Sequence, residues 1–189
     1  PEGRANFPIV ACFITFEGLD GSGKSTHLRS AAAWFAARQL PHLVTHEPGG
    51  TPLAQAIREV FLDRRWGGID GTVELLLVFA SRRQHLLEKI DPALALGRHV
   101  LCDRFTDSTF AYQGGGRGFD RAVLSQLENW VQQGRQPDLT IWFQLPADTA
   151  AARRAAVRAP DRFETQDLDC FGRVIEGYAQ RQAESPARF

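Results

Sequence analysis

The chain has 189 residues, of which 43% are apolar and 23% charged, with 22 Lys plus Arg against 22 Asp plus Glu. That is the size of one domain with a sizeable core, and the balance excludes disordered and collagen-like classes. Zero net charge argues against a surface for polymeric nucleic acid, which normally needs a basic excess. No apolar run approaches the roughly 18 residues that span a bilayer, and residues 1–8 lack a signal-peptide core. Cys12, Cys102 and Cys170 form no metal-ligand spacing, so a reducing, cytoplasmic setting is expected. Only Lys24 and Lys89 are lysines; every other basic side chain is Arg, so the position of Lys24 is unlike random surface filling.

In chain order, residues 11–16 (ACFITF) read as a buried strand running into a glycine-rich loop at 18–23. Residues 24–39 read as a helix that stops before Pro41. Residues 42–45 are a second strand, Pro48-Gly49-Gly50 breaks the chain, and 52–62 is a short helix. An apolar helix is expected over 71–89, and a third strand over 99–102 ends at Asp103. The glycines at 114–116 and 118 mark a flexible loop. Asp120 is an N-cap for a helix over 121–133. Residues 139–145 form a fourth strand, a helix runs from 147 to about 157, and a last helix from 167 to about 183. Strands alternating with helices indicate a parallel sheet covered on both faces.

The first turn carries the most specific chemistry. Residues 18–25 (GLDGSGKS) fit G-x-x-x-x-G-K-[ST], between an apolar strand and a helix. Such glycines let backbone N–H groups converge on a triphosphate, and the helix N-terminus favours anionic oxygens. The phosphates of ATP are therefore expected on Gly18, Leu19, Asp20, Gly21, Ser22, Gly23, Lys24, Ser25 and Thr26. Lys24 neutralises phosphate charge, and Ser25 ligates Mg²⁺. The apolar strand ending in Asp103 supplies a second group for Mg²⁺ or its waters.

Two classes then compete, a phosphotransferase and a nucleotide-driven switch. A guanine-reading switch uses Asn-Lys-x-Asp, but the only asparagines are Asn6 and Asn129, and neither precedes Lys. A kinase needs fixed positive charge for its acceptor and a basic flap that excludes water. Arg58, Arg82, Arg83 and Arg104 are candidates for the first. Arg153, Arg154, Arg158 and Arg162, around Ala159-Pro160, are candidates for the second. For any one of these arginines, a solvated helix face is the competing reading.

Several longer segments accumulate beside the phosphate loop: 16–26 (FEGLDGSGKST), 47–53 (EPGGTPL), 74–87 (ELLLVFASRRQHLL), 103–118 (DRFTDSTFAYQGGGRG), 137–145 (PDLTIWFQL) and 161–164 (DRFE). With these the chain resembles the bacterial thymidylate kinases, which phosphorylate dTMP with ATP. The resemblance implies a single P-loop kinase domain over 1–189, with an N-terminal tail at 1–10. Its fold class would be α/β, a three-layer α/β/α P-loop NTPase arrangement with an arginine-bearing lid near 150–163. It implies a homodimer through the 71–89 helix.

It further implies that Asp20 accepts a hydrogen bond from the dTMP 3′-hydroxyl and that Arg58 and Arg104 clamp the acceptor phosphate. Arg82 would bond thymine O4, and Gln113 the thymine N3–H and its neighbouring carbonyl. Ser108 and Tyr112 would line the same pocket. Lys24, Arg104, Arg153 and Arg158 would be the catalytic cations. Members carry the catalytic Arg in the P-loop or in the lid; Gly21 after Asp20 makes this chain resemble the lid type. Many members stack Phe on thymine four residues before the base-reading Arg. Val78 stands there, with Phe79 beside it, so either residue is open for that role. His46 replaces an Arg found in many members before EPGG. The family continues with a further strand and helix, which this chain is expected to lack. Another nucleoside monophosphate or deoxynucleoside kinase, and a non-catalytic ATP-binding module, remain the alternatives.

Overall fold

The computed structural model describes residues 10–63, 65–66, 68–155 and 168–189. Its centre is a parallel sheet in the order β2-β3-β1-β4, formed by β1 (Phe13–Gly18), β2 (His42–His46), β3 (His99–Asp103) and β4 (Leu139–Phe143). The register pairs Thr15 with Cys102 on one side and with Thr140 on the other. The central strands β1 and β3 are mostly buried, as strands covered on both faces are, whereas the edge strands β2 and β4 expose Val44, Leu139 and Ile141.

The alternation of β1 splits the core. Phe16 packs with Leu28 of α1 (Lys24–Ala37) and Leu101 on one face. Phe13 packs with Leu86, Ile90, Val100 and Phe105 on the other. That second face is covered by α3 (Gly71–His85), which continues through a wider π-turn to Ile90 and into α4 (Asp91–Ala95). Between β2 and α3 lies α2 (Pro52–Leu62), opened by Pro52 and capped by Thr51, whose hydroxyl accepts from the Ala54 N–H at 3.2 Å. Asp70 and Asp120 cap α3 and α6 (Arg121–Gln132) by accepting from Thr72 and Ala122 N–H at 2.8 Å each.

The glycine run is not a flexible loop. α5 (Thr106–Thr109) continues as a π-helix over Phe110–Gly116. Its glycines serve close approach to α8 (Leu168–Glu184). A Cβ on Gly115 would collide with the carbonyl of Arg173, and one on Gly116 would lie 3.1 Å from Val174. The contact is reciprocal, because a Cβ on Gly177 would stand 2.7 Å from the Ala111 Cα. Local turn propensity misread a helix–helix crossing.

The last elements are α7 (Ala147–Ala155) before the undescribed segment, α8 after it, and a short 3₁₀ turn at Pro186–Arg188. Arg188 reaches back to buried Asp107, which also accepts from Arg181 at 2.8 Å. Arg158, Arg162 and most of the expected lid lie outside the described residues. No described helix is long and apolar enough to cross a membrane.

Candidate active site

The C-terminal ends of β1, β2 and β3 open onto one cavity of about 460 Å³, the usual ligand position in an open parallel sheet. Asp20, Ser25, Arg58, Arg82, Asp103, Arg104, Ser108, Tyr112 and Gln113, all singled out from the sequence, line it together. His46, Glu47, Pro48, Phe61, Leu62, Val78, Phe105 and Thr109 complete the wall.

The phosphate loop is tied at its base by a Ser22 N–H donating to the Leu19 carbonyl at 3.1 Å. Gly18 and Gly23 have φ of +133° and +93°, and a Cβ on Gly18 would meet the Phe143 carbonyl at 2.6 Å. Both facts require glycine. Lys24 is buried, with its ammonium donating to the Leu19 carbonyl at 2.9 Å and paired with Asp20 at 3.4 Å. Burial, reinforced by the nearby Arg104 charge, pulls Lys24 down to about 8. A phosphate in the loop would return the counter-charge that favours the ammonium. The Ser25 hydroxyl donates to Asp103 Oδ2 at 2.9 Å, so the two groups expected to hold a hard cation already meet. Hydroxyl and carboxylate oxygens are the donor types that suit Mg²⁺.

Arg104 sits at the hub. It follows β3 with φ of +68°, a left-handed conformation uncommon for a side-chain-bearing residue. That bend carries its guanidinium across the cavity floor. It donates to Asp20 Oδ1 at 2.7 Å, Ser108 Oγ and Tyr178 Oη at 3.1 Å each, and Tyr112 Oη at 3.2 Å. Beneath it is buried Glu17, which accepts from Ser108 at 2.5 Å, Tyr178 at 3.1 Å and the Phe105 N–H at 2.7 Å. Burial, and next the charge of Asp107, push Glu17 up to about 7. Arg58 reaches the same space from α2, its guanidinium donating to the Pro48 carbonyl at 2.9 Å.

The far end is built on α3 and α5. Arg82 is buried and donates to Glu47 at 2.8 Å and to Thr109 Oγ1 at 2.9 Å. Burial raises the Glu47 carboxyl, but Arg82 and His85 together overcome that and hold it below its ordinary value. Gln113 donates its amide N–H to Glu74 at 2.9 Å.

Of the expected acceptor-site and lid residues, Phe79, Arg83 and Arg153 do not line the cavity, and Arg83 donates instead to the Val131 carbonyl at 3.1 Å. Phe79 is in the core with Leu75, Phe110 and Leu124, and does not line the cavity; Val78 does. One residue on a helix turns a side chain by about 100°, and the apolar cluster takes the larger ring. Arg153 is exposed on α7 and is not among the lining residues. Arg158 falls outside the described residues. Sequence reasoning gave no role to Glu17, Glu47, Glu74 or Tyr178. A usable signal existed: a carboxylate inside an apolar strand or opening an apolar helix is almost never fully buried unless paired.

Comparison with known proteins agrees with this architecture. The thymidylate kinase family model matches residues 16–189. A thymidylate kinase of Paracidovorax citrulli is 54% identical over 185 residues, covering 94% of this chain and 82% of that protein. One from Chromobacterium violaceum is 51% identical over 181 residues, covering 93% and 82%. The crystal structure of thymidylate kinase from Ehrlichia chaffeensis superposes with a TM-score of 0.77 at 33% identity, covering 94% of this chain and 90% of that one. The match runs along nearly the whole chain, and the chain belongs to the thymidylate kinase family.

Proposed function

We propose that the chain transfers the terminal phosphoryl group of ATP to the phosphate of dTMP, giving dTDP for dTTP synthesis in the cytoplasm. The observation that carries this reading is one cavity lined by Arg58, Arg104, Asp20 and Ser25 together with Arg82, Gln113 and Val78. Arg58 and Arg104 suit a phosphate monoester, since a planar fork pairs two oxygens at once. Asp20, held by Arg104, is left to accept from a sugar hydroxyl. Arg82 and Gln113 face the base, with Val78 as the apolar contact. Tyr112 and Ser108 form the intervening wall.

The acceptor oxygen is already anionic, so no strong general base is required. The chain's work is alignment and charge neutralisation. Lys24 meets the transferred group's oxygens from the phosphate loop, residues 18–26. Arg104 holds the acceptor and shields its repulsion from the donor. Arg153 and Arg158 remain the proposed lid cations. Ser25 and Asp103 would hold Mg²⁺, which supplies charge neutralisation to the nucleotide phosphates when bound. Glu17 keeps Arg104 aligned from below through Ser108 and Tyr178.

A homodimer is part of the reading. Leu76 and Val73 of α3 and Val123 and Trp130 of α6 are exposed apolar side chains on neighbouring elements. Sedimentation at micromolar concentration should give twice the chain mass, and a monomer removes this claim.

The central test is turnover. ADP release should depend on dTMP, and dTMP should be the best acceptor among dTMP, dUMP, dGMP and thymidine at equal concentration. A better acceptor overturns the substrate assignment. ATP binding without dTMP-dependent ADP release would leave a non-catalytic nucleotide-binding module.

A further inference from the structure

Gln113 offers the cavity a side-chain amide, and an amide has two faces of opposite hydrogen-bonding sense. Which face meets a ligand decides what the ligand must be. Glu74, at the start of α3, is fully buried. Its Oε2 accepts from the Arg117 guanidinium at 2.9 Å, and its Oε1 accepts from Gln113 Nε2 at 2.9 Å. A carboxylate paired with Arg offers only acceptors. The amino side of Gln113 must therefore turn to Glu74, and this follows from chemistry whichever way an amide is drawn. The carbonyl Oε1 is left on the opposite side. Gln113 lines the cavity, and Oε1 is not among the described polar atoms sealed from solvent without a partner. The backbone of Gln113 is fixed as well, its carbonyl accepting from Phe119 N–H at 3.0 Å.

We propose that Glu74, anchored by Arg117, is a positioning residue that locks Gln113 with its carbonyl toward the base. The lock makes the site selective for pyrimidines bearing N3–H, thymine or uracil, over cytosine, whose N3 is an acceptor. This rests on the reading of the cavity as the dTMP site. A free amide would turn over and donate to cytosine N3 with equal ease. A tethered one leaves two acceptors facing each other, which an enclosed site penalises heavily.

The test is a comparison of kcat and KM for dTMP, dUMP and dCMP in the intact chain, in Glu74→Gln, and in the double variant Glu74→Gln with Gln113→Glu. In the single variant the new amide's carbonyl takes the Arg117 donor and its amino group faces position 113. Gln113 then rotates and points N–H at the base. KM for dTMP should rise about tenfold, and the dCMP-to-dTMP ratio of kcat/KM should rise by about the same factor or more. The double variant reverses the pair, with a donor at 74 and a carboxylate at 113 whose second oxygen faces the base, so the preference for dTMP over dCMP should return. A merely structural Glu74 would lower kcat/KM for all three acceptors together and leave their ratios unmoved in E74Q. An unchanged dCMP-to-dTMP ratio in E74Q overturns the proposal, as does failure of the exchange to recover selectivity. If E74Q does not fold, Glu74→Leu decides in its place: it removes the acceptor that tethers Gln113 Nε2, so the dCMP-to-dTMP ratio should rise there too, and an unmoved ratio is refuting. Absence of dTMP turnover in the parent chain would overturn the substrate reading and this proposal with it. Turnover with an unmoved ratio overturns this proposal only.

Discussion

Replacing Arg82 by Met would keep most of the side-chain length and remove the guanidinium. Both partners of the Arg82–Glu47 pair are at most 3% exposed, with Nε 2.8 Å from Oε2. The variant leaves Glu47 charged, buried, and partnered by His85 Nδ1 at 3.0 Å. Removing one member of such a pair costs about 3–5 kcal/mol. Adding Glu47→Gln discharges the orphan, so the double variant should recover all but about 1–2 kcal/mol. The sign with pH is also fixed. Burial raises Glu47, but Arg82 and His85 outweigh it and lower the carboxyl below its ordinary value. In the parent, that contribution is present above the unfolded-chain value and is lost as pH falls through the folded one. Without Arg82, burial dominates and folded Glu47 holds its proton more tightly than the unfolded chain. The cost of Arg82→Met should therefore grow as pH rises and shrink toward the ordinary carboxylate range. Urea unfolding followed by tryptophan fluorescence and circular dichroism, near pH 5.5 and pH 8, measures this. A cost below about 1 kcal/mol at the higher pH, or no rescue by Glu47→Gln, refutes the argument. Both variants should still raise KM for dTMP, because stability can be restored without the base contact.

Lys24→Ala should lower turnover by about two orders of magnitude or more with the thermal midpoint retained, since its role is charge at the phosphates; wild-type turnover would remove the phosphate-loop assignment. Glu17, raised to about 7 chiefly by burial, holds its proton in the native state after the unfolded chain has released it. Its contribution to stability therefore falls from about pH 4.5 to 7, on the order of 3 kcal/mol, and stability curves of the parent and Glu17→Gln should diverge across that window. Parallel curves would show that Glu17 titrates normally. Gly177→Ala would force a Cβ to within 2.7 Å of the Ala111 backbone, and the thermal midpoint should drop by several degrees. A midpoint within a degree of the parent would mean that the α5–α8 crossing yields easily.

Much of this molecule was legible in the order of its residues. The alternation of short apolar runs with helical segments set a parallel α/β sheet, because strands buried on both faces leave no polar alternation. The G-x-x-x-x-G-K-S turn between strand and helix set the phosphate loop, since its chemistry is local and its glycines are needed where they stand. Asp120 as a cap follows the same logic: a cap acts within three residues of itself. What escaped was non-local. The glycines at 114–116 look like a loop until Leu124 is laid against Gly114 and α8, more than fifty residues later, against Gly115 and Gly116. Val78 and Phe79 are indistinguishable by spacing, and only the packing of Leu75, Phe110 and Leu124 draws the ring inward. Glu17, Glu47 and Glu74 are three carboxylates in the sequence. Tertiary structure makes them buried partners of Ser108 and Tyr178, of Arg82, and of Gln113. Sequence alone determined the strand–glycine turn–helix of residues 13–37, because that unit is one continuous segment. Only the fold decided how Arg82, Arg104 and the Gln113 amide are aimed, because each is held by a carboxylate distant in the chain.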